Sequence, residues 1–193
     1  MTYLSFDDFK NSSLEEQIKI FDLLFEHTDS LIKFTLQDPK VKLDILKCND
    51  YKNMIELVRS SLLSLTENDS INDETKTHLS NIIEAHPKLG VPREIQGELS
   101  ALSKMEQKNL SSNTNNNNNT EEIKEALIDL NNKYEEKYKG LRFVCFVNGR
   151  DRVEIIKEMK QILESENTWL QECQRAINAM CDIALDRSKK LYL

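Results

Sequence analysis

The chain has 193 residues, of which 39% are hydrophobic and 31% are charged, and this composition predicts one soluble globular domain with its own core. Its 33 acidic and 26 basic residues give a net charge of −7, and the basic residues form no stripe with interleaved aromatic side chains, so we expect no nucleic-acid partner. No apolar run approaches the roughly 20 residues of a membrane span, so we expect no membrane association.

The cysteines and the sequences at the two chain ends predict where in the cell the protein is found. The four cysteines form no Cys-x-x-Cys pair and the three histidines lie far apart, which predicts a reduced, intracellular protein without a metal site. The first residues lack the basic start and apolar stretch of a signal peptide, and the chain does not end in Ser-Lys-Leu. We therefore expect a cytoplasmic or peroxisomal protein.

In the first half of the chain, the apolar residues mostly follow a helical period. Ser12 and Ser13, each followed three residues later by a glutamate, predict the start of a helix that extends to Ile32 with a break near 28–30. Pro39 ends that section. The other helices predicted here are a short first turn at 6–9, a short helix at 41–46, and longer helices at 51–65 and 75–85.

The second half continues this pattern with one exception. Helices are predicted at 99–110, 121–138, 153–163 and 169–191. The run from Leu141 to Val147 has a strand-like composition but no second strand with which to pair, so we expect an extended segment that crosses the core or lines a site. Residues 111–120 contain five consecutive asparagines and no apolar side chain, which predicts a mobile surface insertion.

These elements together predict the fold. We expect an all-α, single-domain helical bundle of about seven to nine helices that spans residues 1–193, with one extended segment near 141–147.

The most informative stretch begins at the end of the helix that leads to His86. Pro87 fixes its own φ and disfavours the α region for the residue before it, so His86 lies at a helix end with a restricted backbone. An imidazole titrates near neutral pH and suits general acid–base chemistry. The same His-Pro pair is also common as a simple helix stop.

A second set of polar residues follows about twenty positions later. Ser103 and Glu106 share one face of the predicted helix, and Gln107 lies one step around it. With His86 they offer an imidazole, a carboxylate, a hydroxyl and an amide, which together could grip a small polar molecule. Ser-x-x-Glu is also a capping box, so the residue types alone leave a structural role open.

These motifs resemble those of the OHCU decarboxylases, which act on 2-oxo-4-hydroxy-4-carboxy-5-ureidoimidazoline (OHCU) in urate degradation. His86-Pro87-Lys88-Leu89-Gly90 resembles the family's His-Pro-x-Leu-Gly signature, and Ser103, Glu106 and Gln107 match its Ser-x-x-Glu-Gln motif at the same interval. Further similar segments are Asn131–Tyr134, Gly140–Val144, Gly149-Arg150 and Ile183–Arg187. The chain departs from the family at Gly-Leu-Arg-Phe, where Gly-Phe-x-Phe is usual, and lacks a tryptophan after Glu26-His27.

The resemblance implies an all-α homodimer that converts OHCU to (S)-allantoin without a metal or an organic cofactor. It implies that His86 is the catalytic acid–base and that Glu106 orients or polarises it. The residues it implies in substrate binding are Pro87, Ser103, Gln107, Phe143, Val144 and Arg187.

Several alternatives stay open at this point. Arg187 could instead be a solvated cation at a helix C-terminus. Arg150 could contact the substrate or merely anchor the start of a helix. His27 and His78 are expected to be structural or surface residues. The whole chain could be a non-catalytic helical interaction module, or a decarboxylase for a related ureido or heterocyclic acid.

Overall fold

A computed structural model describes residues 4–67, 71–90 and 121–191. These residues form nine helices and no strand, which confirms the all-α prediction. The helices are α1 (Phe6–Asn11), α2 (Leu14–Phe25), α3 (Asp29–Phe34), α4 (Pro39–Lys47), α5 (Tyr51–Ser64), α6 (Asp73–Glu84), α7 (Glu121–Lys137), α8 (Arg152–Glu164) and α9 (Trp169–Lys190). The helix predicted at 99–110 and the insertion predicted at 111–120 lie outside the described residues.

Side chains at the helix N-termini explain where these helices begin. Ser13 and Glu16 form the predicted capping box at α2, and Thr168 forms another with Gln171 at α9. Pro39 not only separates two sections of the chain but also begins α4, because its fixed φ and missing N–H suit the first position of a helix.

Helix α9 lies at the centre of the described fold. It packs against α2, α5 and α6, while α7 pairs with α8. The buried hydrophobic side chains form one continuous cluster, to which α9 contributes Ala176, Ile177, Met180 and Ala184. Arg59 of α5 also reaches α9, where its Nη2 lies 2.8 Å from Oδ1 of Asp182. Within the described ranges, no helix is long and apolar enough to cross a membrane.

Residues 141–147 belong to no helix or strand, as predicted. Leu141, Phe143 and Val144 are buried in this segment. Arg175 of α9 donates a hydrogen bond of 2.9 Å from Nη1 to the Val144 carbonyl, which fixes the segment against the central helix.

Candidate active site

His86 lies in the turn that follows α6, and its side chain is buried. The His86 N–H donates to the Ile83 carbonyl at 3.2 Å, which closes the last helical turn, and Pro87 then prevents the helix from continuing. Only 3% of the residue is exposed. Its Nε2 atom is buried and makes no hydrogen bond with any of the described residues. A buried imidazole nitrogen without a partner is costly unless a ligand or another group meets it.

The surroundings of His86 favour its neutral form. Burial, and then the charges of Arg187 and Arg142, lower the pKa of His86 from 6.5 to about 3. Burial therefore favours the neutral ring at neutral pH, where an exposed imidazole would begin to titrate. A neutral imidazole has one donor and one acceptor nitrogen, so at neutral pH His86 can accept a proton or pass one between its two nitrogens.

Contacts with α7 hold the residues that follow Pro87 in the signature, which are Lys88, Leu89 and Gly90. Asn131 of α7 donates from Nδ2 to the Leu89 carbonyl at 3.0 Å. Gly90 has φ +73°, and a Cβ there would lie 2.4 Å from Cδ1 of Leu127, so this turn requires glycine. Lys88 forms a 2.7 Å ion pair with Glu135. The turn that contains His86 is thus held against one face of α7.

Arg142 connects the segment 141–147 to the same turn. Its Nη1 donates to the carbonyl oxygens of Glu84 and His86, the latter at 2.5 Å. Its Nε lies 3.8 Å from Oε1 of Glu135. Sequence reasoning gave this arginine no role, because it stands at the variable position of the Gly-Phe-x-Phe block. A charged residue within an otherwise apolar run could have been recognised as the sign of a specific partner.

Arg187 is buried, so the alternative of a solvated cation is wrong. Only 1% of the residue is exposed, although it belongs to the last turn of α9. Its Nη2 lies 2.8 Å from Oε1 of Glu26, and its Nη1 donates to the Leu24 carbonyl at 3.2 Å. The guanidinium therefore meets the C-terminal end of α2, where the helix dipole favours a cation.

Glu26 is a residue of this site that sequence reasoning missed. It follows the last residue of α2 with φ 68°, a conformation that is uncommon for a residue other than glycine, and 7% of it is exposed. Positive φ and a buried carboxylate together mark a position held in place by its surroundings. The available signal was a single carboxylate directly after the apolar end of a predicted helix.

Phe143 and Val144 are buried and contact residues of α7 and α9. The Phe143 ring meets Tyr134 edge-on at 5.5 Å between centroids, and the Arg175 guanidinium lies 4.7 Å from its centroid. The Val144 carbonyl accepts the bond from Arg175. Their implied place in substrate binding stays a prediction.

The remaining candidates lie elsewhere. Arg150 pairs with Glu158 of α8 at 2.5 Å, on an open groove outside the His86 turn. The His27 side chain is 60% exposed. His78 joins two helices, since its ring nitrogens lie 2.9 Å from Ser30 Oγ and 2.9 Å from Lys33 Nζ.

The structure therefore brings together part of the predicted site. His86 and Pro87 share one turn, and the charge of Arg187 acts on the His86 ring. Ser103, Glu106 and Gln107 lie outside the described residues, so their places in the site stay predictions. Within 4–67, 71–90 and 121–191, no group of three or more His, Cys, Asp or Glu residues could hold a metal ion.

Two comparisons with known proteins give the family and a similar fold. A family model described as OHCU decarboxylase matches residues 10–189. The chain belongs to the OHCU decarboxylase family. Members of this family are decarboxylases, and their small-molecule substrate belongs to urate degradation.

A solved structure is also similar. It is a crystal structure of (S)-allantoin synthase, with a TM-score of 0.61 and 13% sequence identity. The match covers 97% of this chain and 54% of the solved chain, so the present chain spans about half the length of that protein. At this identity the match shows the fold alone. The comparison with curated protein sequences gives no match.

Proposed function

We propose that this chain decarboxylates OHCU to (S)-allantoin without a metal or an organic cofactor. The observation that supports this most directly is the buried, neutral His86, with an Nε2 atom that no described residue satisfies and with the Arg187 charge acting on its ring. This pairing offers a proton acceptor and a positive charge in one desolvated place, as a decarboxylation through an anionic intermediate requires.

The chemistry of the substrate assigns a step to each group. One ring carbon of OHCU carries both a carboxylate and a hydroxyl, and the neighbouring carbon carries the ureido group. When the bond to the carboxyl carbon breaks, CO₂ leaves and the electron pair moves into the ring, where the imine accepts it. The ring nitrogen that accepts the electron pair takes up a proton from solvent. The hydroxyl oxygen becomes a carbonyl as its proton leaves, and the neighbouring carbon gains a proton on one face.

In this proposal His86 moves that proton. A neutral imidazole can accept the hydroxyl proton and deliver a proton to the neighbouring carbon, and the rigid turn fixes the face from which it does so. Arg187 stabilises the substrate carboxylate and the developing oxyanion. Glu106 orients His86 or binds ureido N–H groups, and Ser103 and Gln107 bond the ureido or ring carbonyls. Pro87, Phe143 and Val144 complete the binding site, in a protein that we propose to be a homodimer.

The decay of freshly generated OHCU tests this proposal. Purified wild-type protein is expected to accelerate the loss of its circular dichroism and to give an optical excess of (S)-allantoin. His86→Gln is expected to fold normally and to lose about 10²- to 10⁴-fold in rate, because glutamine keeps a hydrogen-bonding group but has no basic nitrogen that can accept a proton and pass it on.

His27→Gln is the matched control, since it makes the same change at an exposed histidine, and it should keep the wild-type rate. Wild-type decay by well-folded His86→Gln would remove His86 from the mechanism. No acceleration by the wild-type protein would reject OHCU as its substrate, and a related ureido acid or a non-catalytic role would then be the better interpretation.

A further inference from the structure

We propose that Arg142 is a positioning residue for His86, acting through the backbone of the turn and through Glu135. This inference rests on the proposed function only in naming His86 as the group that matters. Arg142 occupies the variable position of the Gly-Phe-x-Phe block, whose second position is Leu141 in this chain.

The first support is the way Arg142 holds the turn. One nitrogen, Nη1, donates to the carbonyls of both Glu84 and His86. The first of these carbonyls belongs to the last residue of α6, and the second belongs to the residue that carries the imidazole. Carbonyls at a helix C-terminus lack intrahelical donors, so a cation there satisfies them and favours the helix dipole. Arg142 thus fixes the peptide unit on either side of the point where the helix stops.

The second support is a clamp built on Glu135 of α7. One carboxylate oxygen pairs with Lys88 at 2.7 Å, and the other lies 3.8 Å from Arg142 Nε. Lys88 follows His86 by two positions, and Arg142 binds the His86 carbonyl itself. Lys88 therefore ties the turn to Glu135 directly, whereas Arg142 binds the His86 carbonyl and faces the other carboxylate oxygen across an electrostatic contact without a hydrogen bond. All three side chains are at least partly buried, with 30% or less of each exposed, so solvent screens these contacts less than it would on the surface.

The third support is electrostatic. The Arg142 charge is among the causes that lower the pKa of His86, after burial and Arg187. Among the described residues, Lys88 and Glu135 lie with Arg142 at the turn, and Arg187, which pairs with Glu26, acts on the ring. Loss of Arg142 should therefore move the imidazole and also favour its protonation.

Three variants separate charge from hydrogen bonding. Arg142→Lys keeps the charge and a donor, Arg142→Gln keeps a neutral donor, and Arg142→Met keeps neither. Lys137→Met is the matched control, because Lys137 Nζ also binds helix-end carbonyls, those of Ile162, Leu163 and Ser165, but at the end of α8. Thermal unfolding of each variant corrects for any general loss of stability.

The decisive measurement is the NMR signals of the His86 ring nitrogens between pH 8 and 4, without substrate. We expect one neutral tautomer in the wild type, in Lys137→Met and, largely, in Arg142→Lys. In Arg142→Gln and Arg142→Met we expect shifted ring signals and protonation that begins at higher pH. In an OHCU assay these two variants should lose about 10- to 100-fold in kcat with a smaller change in KM, and Arg142→Lys should recover part of that loss.

Unchanged ring signals in Arg142→Gln and Arg142→Met, with a stability loss like that of Lys137→Met, would overturn the proposal. The ring signals need no substrate, so they decide the role of Arg142 even if the wild-type protein fails to act on OHCU. If Arg142→Met does not fold, Arg142→Gln and Arg142→Lys still give the comparison.

Discussion

A buried histidine with a strongly lowered pKa makes the stability of the protein depend on pH. Only 3% of His86 is exposed, and the cations Arg187 and Arg142 further oppose its protonation. The native state therefore keeps this ring neutral, whereas the unfolded chain lets it titrate near 6.5. Between the two pKa values the unfolded state binds more protons, and stability rises with pH.

From this we predict a specific loss of stability in mild acid. The contribution of neutral His86 is fully present above about pH 6.5 and falls as the pH drops toward 3, the folded-state pKa. Between pH 7 and pH 5 the wild type should lose about 2 kcal/mol more unfolding free energy than His86→Gln does. Urea unfolding of both proteins at the two pH values measures this difference, and equal losses would show that His86 titrates alike in both states.

The pair of Glu26 and Arg187 gives a second prediction at this scale. Both residues are buried, and their charged atoms lie 2.8 Å apart. Removing one charge from such a pair removes an interaction that offsets the desolvation of the other, so Glu26→Gln should cost about 2–4 kcal/mol of unfolding free energy.

The control for this variant is Asp129→Asn, which breaks the exposed pair with Lys133, where the side chains are 58% and 59% exposed. That change should cost less than about 1 kcal/mol. Urea unfolding at pH 7 compares the two, and a loss in Glu26→Gln no larger than in the control would show that the buried carboxylate contributes little.

At the scale of elements, a buried polar network holds the segment 141–147. Glu172 of α9 is fully buried and accepts bonds from Tyr134, Arg175 and Asn167 at 2.9, 2.7 and 2.8 Å. Arg175 then reaches the Val144 carbonyl. A segment without helical or strand hydrogen bonds of its own is thus fixed by side chains from α7 and α9. Breaking one bond in such a network leaves buried groups without a partner.

Two tyrosines test this network: Tyr134 lies in α7, and Tyr138 directly follows the end of that helix. The Tyr134 hydroxyl donates to Glu172, whereas the Tyr138 hydroxyl donates to the neutral carbonyl of Ile162 at 3.3 Å. Burial raises the pKa of Tyr134, so its hydroxyl stays protonated. Tyr134→Phe should cost about 1.5–3 kcal/mol and Tyr138→Phe about 0.5–1.5 kcal/mol. Thermal or urea unfolding gives both values, and equal costs would argue against a special role for the charged acceptor.

The helices could be predicted from sequence more completely than the site. Apolar periodicity and local caps such as Ser13 with Glu16 lie within a few residues of each other, so they can be recognised in the sequence alone. His86 was marked by Pro87 for the same reason. The partners of Arg142 and Arg187 are distant in the sequence, at His86 and at Glu26, and only the packed fold brings them together.

At the scale of the whole molecule, α9 links the site to the core. Its buried face packs on α2, α5 and α6, and its last turn carries Arg187 to the end of α2. The described residues of the candidate site come from the ends of α2, α6 and α9 and from the segment 141–147, so the geometry of that site depends on how these elements pack. Changes in the central core should therefore alter both stability and the site, whereas changes in polar segments outside the core should alter neither.

Replacement of residues 113–119, the asparagine tract, tests whether polar segments outside the core can change without effect on stability or on the site. Residues 113–119 contain no apolar side chain, so the sequence gives them nothing to bury. Replacing them with a Gly-Ser linker of equal length should leave the melting temperature and the rate of OHCU decay within error of the wild type, because polar loops are replaced at little cost. The matched core change is Met180→Ala on the fully buried face of α9, which should cost about 2–5 kcal/mol. A linker variant that loses stability or activity as Met180→Ala does would show that the tract docks on the protein.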